Sequence, residues 1–282
     1  MSDREYIACP YCDADDYALW AEENGWQAVK CRQCDIVYVN PRPTLESIRE
    51  AARTGLHQND FGTLDVVGKF SRKKSRKIKR RLLHLYPGAD LRGKTIRWLD
   101  IGAGFGELLI VIQGLLRHDA TVCGVEPCEP KRVHGQQAGL RIEESFSMIE
   151  GKFDVISLIN VFGHLPNHFE FFGELLKQLT PGGEIVLVTG NGGEVPLEQY
   201  PQKLFLPDHL VFAGEKHLSG MLEKLGFDII EIKRYRVIPL AKMIRRSIKR
   251  LFGRRTGKLS PYEQYRSPFR SIWIRARLAT DV

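Results

Sequence analysis

From Trp98 to Glu107 the chain reads WLDIGAGFGE: a short apolar run, glycines at 102, 104 and 106, and at once a helical pattern. Glycine tolerates positive φ and lets another group approach the backbone closely. The N-terminus of the following helix offers unpaired N–H groups and the positive end of a dipole. Few folds put a strand, such a loop and a helix in direct succession. Those that do form a cradle suited to a nucleoside cofactor, at the carboxyl end of a strand in an open α/β sheet.

The next strand-like run, Ala120 to Val125, ends in Glu126. An acid about 20 residues beyond the glycines is placed to accept hydrogen bonds from ribose hydroxyls. The alternative is a plain tight turn with a solvated Glu126. The spacing is not that of a nicotinamide fingerprint, which wants a small residue where Glu107 stands, and the loop lacks the Gly-Lys-Ser/Thr ending of an ATP-binding loop. Further along, apolar runs predict strands at 95–101, 120–126, 140–144, 153–160, 183–189, 227–234 and 271–278. Helical spacing is clearest at 106–118, 129–138, 168–180 and 215–225. Regular alternation of this kind implies a parallel sheet covered by helices on both faces.

With 282 residues there is room for this unit and a small satellite. No segment has the length of a membrane span, and the polar, acidic N-terminus does not read as a secretory signal, so a cytoplasmic location is expected. Cys9-Pro-Tyr-Cys12 and Cys31-Arg-Gln-Cys34 are separated by 18 residues. That is the spacing of a four-thiolate zinc ribbon, with Cys9, Cys12, Cys31 and Cys34 as ligands. Four sulfurs close the coordination shell, so the zinc would be structural, and a segment of about 35 residues would take its folding energy from the metal. Two redox C-x-x-C motifs are the alternative. Cys123 and Cys128 fall outside the pattern.

Charge is concentrated. Residues 69–81 hold nine Lys/Arg and 242–258 hold eight, with no acid in either; without those seventeen, the +8 chain would stand at −9. Such cassettes face an anionic partner: a membrane, a nucleic acid or a phosphorylated substrate.

The stretch Asp100-Ile-Gly102-Ala-Gly104-Phe-Gly106 with Glu126 resembles motif I and the ribose-binding acid of class I S-adenosylmethionine-dependent methyltransferases. Phe153-Asp-Val-Ile, Leu179-Thr-Pro-Gly-Gly and Gly226-Phe227 resemble their later segments. The likeness spans about 95–235 plus the last strand. It implies a Rossmann-like seven-stranded sheet, six strands parallel and the last antiparallel. It also implies S-adenosylmethionine held by Asp100, Gly102, Gly104, Gly106, Glu126 and Asn160. A CPxC…CxxCDxVYxNPRP segment ahead of such a domain resembles a bacterial subgroup that accompanies sugar, glycan and natural-product biosynthesis. The expected organisation is a zinc ribbon (1–40), a helical connector carrying the first basic cassette (41–93), and the methyltransferase domain (94–282). The stretch 53–68 of the connector shows no clear period.

Two departures stand out. Residues 235–270 intervene between the sixth and seventh strands, which form a hairpin in the family. Leu240, Met243, Ile244, Ile248, Leu251 and Phe252 alternate there with basic residues, as in an amphipathic helix. It reads as an active-site lid, as a segment lying on an anionic membrane through 240–258, as a grip on RNA phosphates, or as a plain surface helix. Where the subgroup often has Glu-His, this chain has Gly163-His164. Methyl transfer needs positioning of the acceptor above all, and an oxygen acceptor also profits from a general base. His164 and His209 are the candidates, His209 with Asp208 beside it to orient the ring; Tyr200 is weaker, and the other histidines read as surface residues. The sequence thus points to an O-methyltransferase acting on a sugar, glycan or related small metabolite, met at the inner face of a membrane in the lipid-linked version. The alternatives are an RNA methyltransferase and a non-catalytic cofactor-binding scaffold.

Overall fold

A computed structural model describes residues 3–86, 91, 94–237, 244–245, 248–249, 252 and 261–280. The main sheet takes its strands from the predicted runs: β8 (Arg97–Ile101), β9 (Thr121–Val125), β10 (Ile142–Glu143), β11 (Phe153–Ile159), β12 (Leu179–Gly190), β14 (Phe227–Arg236) and β15 (Arg270–Leu278). Their order is β10-β9-β8-β11-β12-β15-β14. The first five run parallel, and β15 is antiparallel to both β12 and β14. The last strand is antiparallel, as expected, and slots between the fifth and sixth. Helices α3 (Glu107–Gln113), α4 (Glu129–Gln137), α5 (His168–Lys177) and α6 (Glu215–Lys224) fill the crossovers. The helix expected over 106–118 stops at Gly114, and β12 begins at Leu179, inside the helix expected over 168–180.

The N-terminal segment is built differently from expectation. Its strands β2 (Tyr17–Glu23), β3 (Trp26–Cys31) and β4 (Val37–Val39) form an antiparallel sheet completed by β13 (Val211–Phe212), with Val211 opposite Tyr38. Cys9, Val29, Cys31, Ile36 and Tyr38 belong to the same core as β8, β11 and β12. Trp26, Val37 and Val39 pack with Leu206, Phe212 and Phe269. The boundary expected near residue 40 is not a break in packing: the N-terminal segment shares its core with the main sheet.

In the connector, α1 (Leu45–Thr54) starts where Thr44 Oγ1 accepts from the Ser47 N–H at 3.4 Å. The aperiodic stretch that follows is a hairpin, β6 (Leu56–Asn59) with β7 (Gly62–Asp65). It is too short for a hydrophobic period to show. The first basic cassette forms α2 (Arg72–Leu85), capped by Ser71. Its apolar face, Ile78, Leu82 and Leu85, packs on Trp98, Val155 and Trp273. The cassette is thus partly a core helix, not only a charged surface. Of the basic insert at 235–270, Leu240, Lys242, Met243, Arg246, Arg250 and Leu251 lie outside the described residues. The described Ile244, Ile248 and Phe252 are exposed. Among the described residues no helix is long and apolar enough to cross a membrane.

Candidate active site

At the carboxyl ends of β8, β9 and β11 lies a cavity of about 600 Å³. Its floor includes Gly102, Gly104, Glu126 and Asn160. Gly102, Gly104 and Gly106 have φ of 65°, 58° and 85°, the left-handed region glycine favours. The Glu126 carboxylate ties the loop down: it accepts from the Gly104 N–H at 2.6 Å and the Cys128 N–H at 2.9 Å. A carboxylate has about four acceptor positions, so capacity remains for ribose hydroxyls. Asn160, at the end of β11, holds a positive φ of 58°.

Two expected cofactor residues do not line this cavity. Asp100 is buried beneath the loop because it stands opposite Ser157 on β11. Ser157 donates to it at 2.6 Å and accepts from the Trp98 indole at 2.9 Å. Burial pushes the Asp100 carboxyl up to about 7. Gly106 packs instead on Leu140, whose Cδ1 would lie 2.0 Å from an added Cβ. Both shape the loop from behind. The roof is the part the sequence reading missed: Ile48 and Ala51 of α1, with Gly55, Val66 and Val67 flanking the hairpin, cover the cavity. Also missed was Glu107, buried at the start of α3 and paired with Lys74 of α2 at 3.1 Å.

A second cavity of about 330 Å³ adjoins the first and shares Lys74, Ile159, Asn160 and His164 with it. It extends over Thr189, Tyr200, His209, Phe212 and Trp273. His164 sits in a single 3-10 turn, Phe162–His164, after β11. Its Nδ1 faces two oxygens of Asp208, the backbone carbonyl at 2.8 Å and Oδ1 at 3.1 Å. With acceptors on that side, the proton resides on Nδ1 and Nε2 keeps its lone pair. Burial opposes a charge on His164, but the Asp208 carboxylate outweighs it and raises the pKa above the ordinary value. His209 stacks on His164 at 4.8 Å and directs Nδ1 to the Leu204 carbonyl at 2.7 Å. Burial, and then the neighbouring His164, push its pKa down to about 4, so it stays neutral. Asp208 therefore orients His164, not His209 as the adjacency in sequence suggested.

His57, expected on the surface, reaches from the hairpin to place Nε2 3.1 Å from Asp208 Oδ1. His168 and His217, also expected outside, are buried and bonded to the Phe162 and Cys34 carbonyls. Although burial opposes ionisation of Asp208, hydrogen bonds from His164 and His57 prevail and hold its carboxyl well below the usual carboxylate range. Gly163 explains the absent acid of the Glu-His pattern: a Cβ there would meet the Val211 carbonyl at 3.1 Å and the His209 ring at 3.4 Å.

The loop carrying Asp208 and His209 is held by the N-terminal sheet. The Glu23 carboxylate accepts from the N–H groups of Leu204, Phe205 and Leu206 at 3.0, 2.6 and 3.3 Å. Asn24 Nδ2 donates to the Leu206 carbonyl at 2.7 Å. Beside that sheet, the two C-x-x-C knuckles repeat one geometry. Asp13 and Asp35 each follow the second cysteine with φ of 59° and 66°, and their N–H groups return to the Cys9 and Cys31 carbonyls. The four Sγ atoms lie within 4.8 Å of one another, with Cys9–Cys34 at 3.5 Å and Cys12–Cys31 at 3.6 Å. Sulfurs of a tetrahedral zinc site with ~2.3 Å bonds stand about 3.8 Å apart, so the cluster is compatible with a structural zinc ion.

Comparison with known proteins agrees with this geometry. A family profile described as a methyltransferase domain matches residues 70–232. A ubiquinone biosynthesis O-methyltransferase of Pseudomonas paraeruginosa is 27% identical over 176 residues, 55% of this chain and 73% of that protein. The like-named protein of Marinobacter nauticus is 26% identical over 192 residues, 53% of this chain and 79% of its own. Among solved structures, an O-methyltransferase from a trans-AT polyketide synthase of Brevibacillus brevis, in complex with S-adenosyl-L-homocysteine, aligns with a TM-score of 0.51. It is 15% identical and covers 74% of each chain. The [4+2]-cyclase SpnF aligns with a TM-score of 0.52 at 15% identity, covering 83% of this chain and 92% of its own. At such identities the solved structures speak for the fold, and the fold alone does not fix the reaction. The family match covers more than half of the chain and includes the loops after β8, β9, β11 and β12 from which the two cavities are built, so the chain belongs to the methyltransferase-domain family and uses S-adenosylmethionine as its cofactor.

Proposed function

We propose that this chain transfers a methyl group to a hydroxyl of a small acceptor bound in the second cavity, with His164 as general base. The observation that carries this reading is the position of His164 on the wall shared by the two cavities, with Asp208 fixing its ring. S-adenosylmethionine, held over Gly102, Gly104 and Glu126, supplies an activated methyl on a sulfonium, whose departure needs little help. The chain's own task is to bring the acceptor oxygen into line and to take its proton. His164 Nε2 accepts that proton, and Asp208 stabilises the imidazolium that forms. His209, kept neutral, packs the base in place and does not compete for the proton.

A cavity of this size supports a small acceptor or the end of a larger one. The finer reading is a sugar or glycan hydroxyl, drawn from the likeness of the N-terminal cysteine segment to its subgroup. A lipid-linked acceptor at an anionic membrane surface is supported by the exposure of Ile244, Ile248 and Phe252 among basic residues.

The test is incubation with methyl-labelled S-adenosylmethionine and an extract of the producing cells, followed by separation of lipid, small-molecule, RNA and protein fractions. Label in a lipid or small-molecule fraction, lost in His164→Gln, is expected. Label in RNA would replace this reading with an RNA methyltransferase. Cofactor binding with no transfer to any fraction would leave a scaffold.

A further inference from the structure

Helix α2 lays Lys74, Lys77, Ile78 and Arg81 along the wall of the second cavity, at the i, i+3, i+4, i+7 spacing of one helix face. No aspartate or glutamate lines that cavity among the described residues. Lys74 is already answered by Glu107. Arg81 is not: it is 8% exposed, no carboxylate among the described residues pairs with it, and its Nε is buried without a hydrogen-bond partner. One Nη reaches the Arg236 carbonyl at 3.4 Å, and the guanidinium lies over the Tyr235 ring at 4.4 Å and near Trp273 at 5.8 Å. An arginine keeps its proton and presents five donors in a fixed fork. Aromatic faces return only about 0.5–2 kcal/mol, whereas a buried charge without a partner costs more.

We propose that the acceptor carries an anionic group, a carboxylate or a phosphoryl group, which the Arg81 guanidinium receives where it lines the cavity. This rests on the reading of the second cavity as the acceptor site. Both groups present two oxygens to a guanidinium fork, a charge-assisted pairing that Arg81 lacks among the described residues. Lys74 marks the end of the cavity shared with the first cavity, and Arg81 lies seven positions further along the helix. At 1.5 Å per residue, the anion sits about 10 Å along the helix from the end where methyl transfer occurs. An acceptor of this class bridges that span with its reactive hydroxyl at His164 and its charge at Arg81.

The experiment titrates phenyl phosphate, 3-phenylpropionate and the neutral 3-phenylpropanamide into the full chain saturated with S-adenosylhomocysteine, by calorimetry. At least one anion is expected to bind roughly ten- to a hundred-fold more tightly than the amide, the worth of a charge-assisted hydrogen bond. Which anion prevails distinguishes a phosphorylated acceptor from a carboxylic one. Arg81→Gln removes the preference, and Arg81→Lys, which keeps the charge but not the fork, reduces it. The lysine variant decides the matter if the glutamine variant does not fold. Equal binding of amide and anions, failure of every anion to bind, or an undiminished preference in the variants would overturn the proposal. Affinity for S-adenosylhomocysteine, measured on the same samples, separates the two claims. Its absence would remove the cofactor-site reading itself, whereas intact binding without anion preference removes only the anionic acceptor.

Discussion

Asp208→Asn is the sharpest probe of the catalytic reading. The substitution keeps the side chain's shape and the backbone carbonyl that His164 Nδ1 faces at 2.8 Å, but removes the negative charge at 3.1 Å. Two unit charges at that distance attract by about 5 kcal/mol at an effective dielectric of 20. The His164 side chain is 35% open to the cavity, so water screens part of this. The proton is also only part-way transferred when the barrier is crossed. About 1.5–3 kcal/mol of transition-state stabilisation is then lost, which lowers kcat roughly ten- to a hundred-fold. The pH profile provides a second readout. Asp208 raises the His164 pKa, so in the variant this pKa falls. The base form then persists to lower pH, and the acid limb of kcat moves down while the plateau drops. Radiolabel transfer to the identified acceptor across a pH series measures both, and a histidine Cε1–H NMR titration with S-adenosylhomocysteine bound follows the pKa without turnover. An unchanged plateau, or an acid limb that stays put or moves upward, would refute the role given to the pair. The carboxyl of Asp208 is held below its unfolded value, so its contribution to stability is present above that value and is lost as the pH falls through the folded pKa. The variant should accordingly be less stable than the parent at neutral pH, by an amount that shrinks as the pH falls.

Glu126→Ala removes the acceptor for two loop N–H groups and for the ribose, and should raise the dissociation constant of S-adenosylhomocysteine roughly ten- to a hundred-fold; an unaltered constant would take Glu126 out of the ribose site. Cys31→Ser should reduce bound zinc from one equivalent to none. Because the cysteine knuckles share a core with the main sheet, Tm should fall in a single transition; retained zinc would mean the ligand set is wrong, and two separate transitions would mean an independent ribbon. Glu23→Ala frees three N–H groups of the Asp208 loop, so methyl transfer should fall about ten-fold and the acid limb should shift as in Asp208→Asn, with cofactor affinity unchanged. Unchanged turnover would show that the loop holds its place without the N-terminal sheet.

What could be read from the chain alone was whatever its local pattern dictates. A strand that runs into three glycines and a helix favours a cradle for a nucleoside cofactor over a plain turn once an acid stands at the next strand end. An acid one strand later, at 126, falls at the neighbouring strand end in any parallel sheet. Hydrophobic pattern placed the seven strands, as a mostly apolar run in β11 and as alternation in β15, and the spacing of the four cysteines announced that they would meet in one cluster. Contacts between residues far apart in sequence have no such signal. Nothing local tells that Asp208 faces His164 rather than its neighbour His209, that His57 comes down from a hairpin to the same carboxylate, or that Asp100 turns away from the cofactor toward Ser157. The role of the cysteine-bearing segment is likewise a tertiary fact. Its Glu23 grips the loop that carries Asp208, and β13 completes its sheet from far along the chain. The basic helix α2 shows the same division: composition announces the nine cations of residues 69–81, but only packing buries Arg81 at the second cavity, because burial depends on which helix face meets the sheet and not on charge.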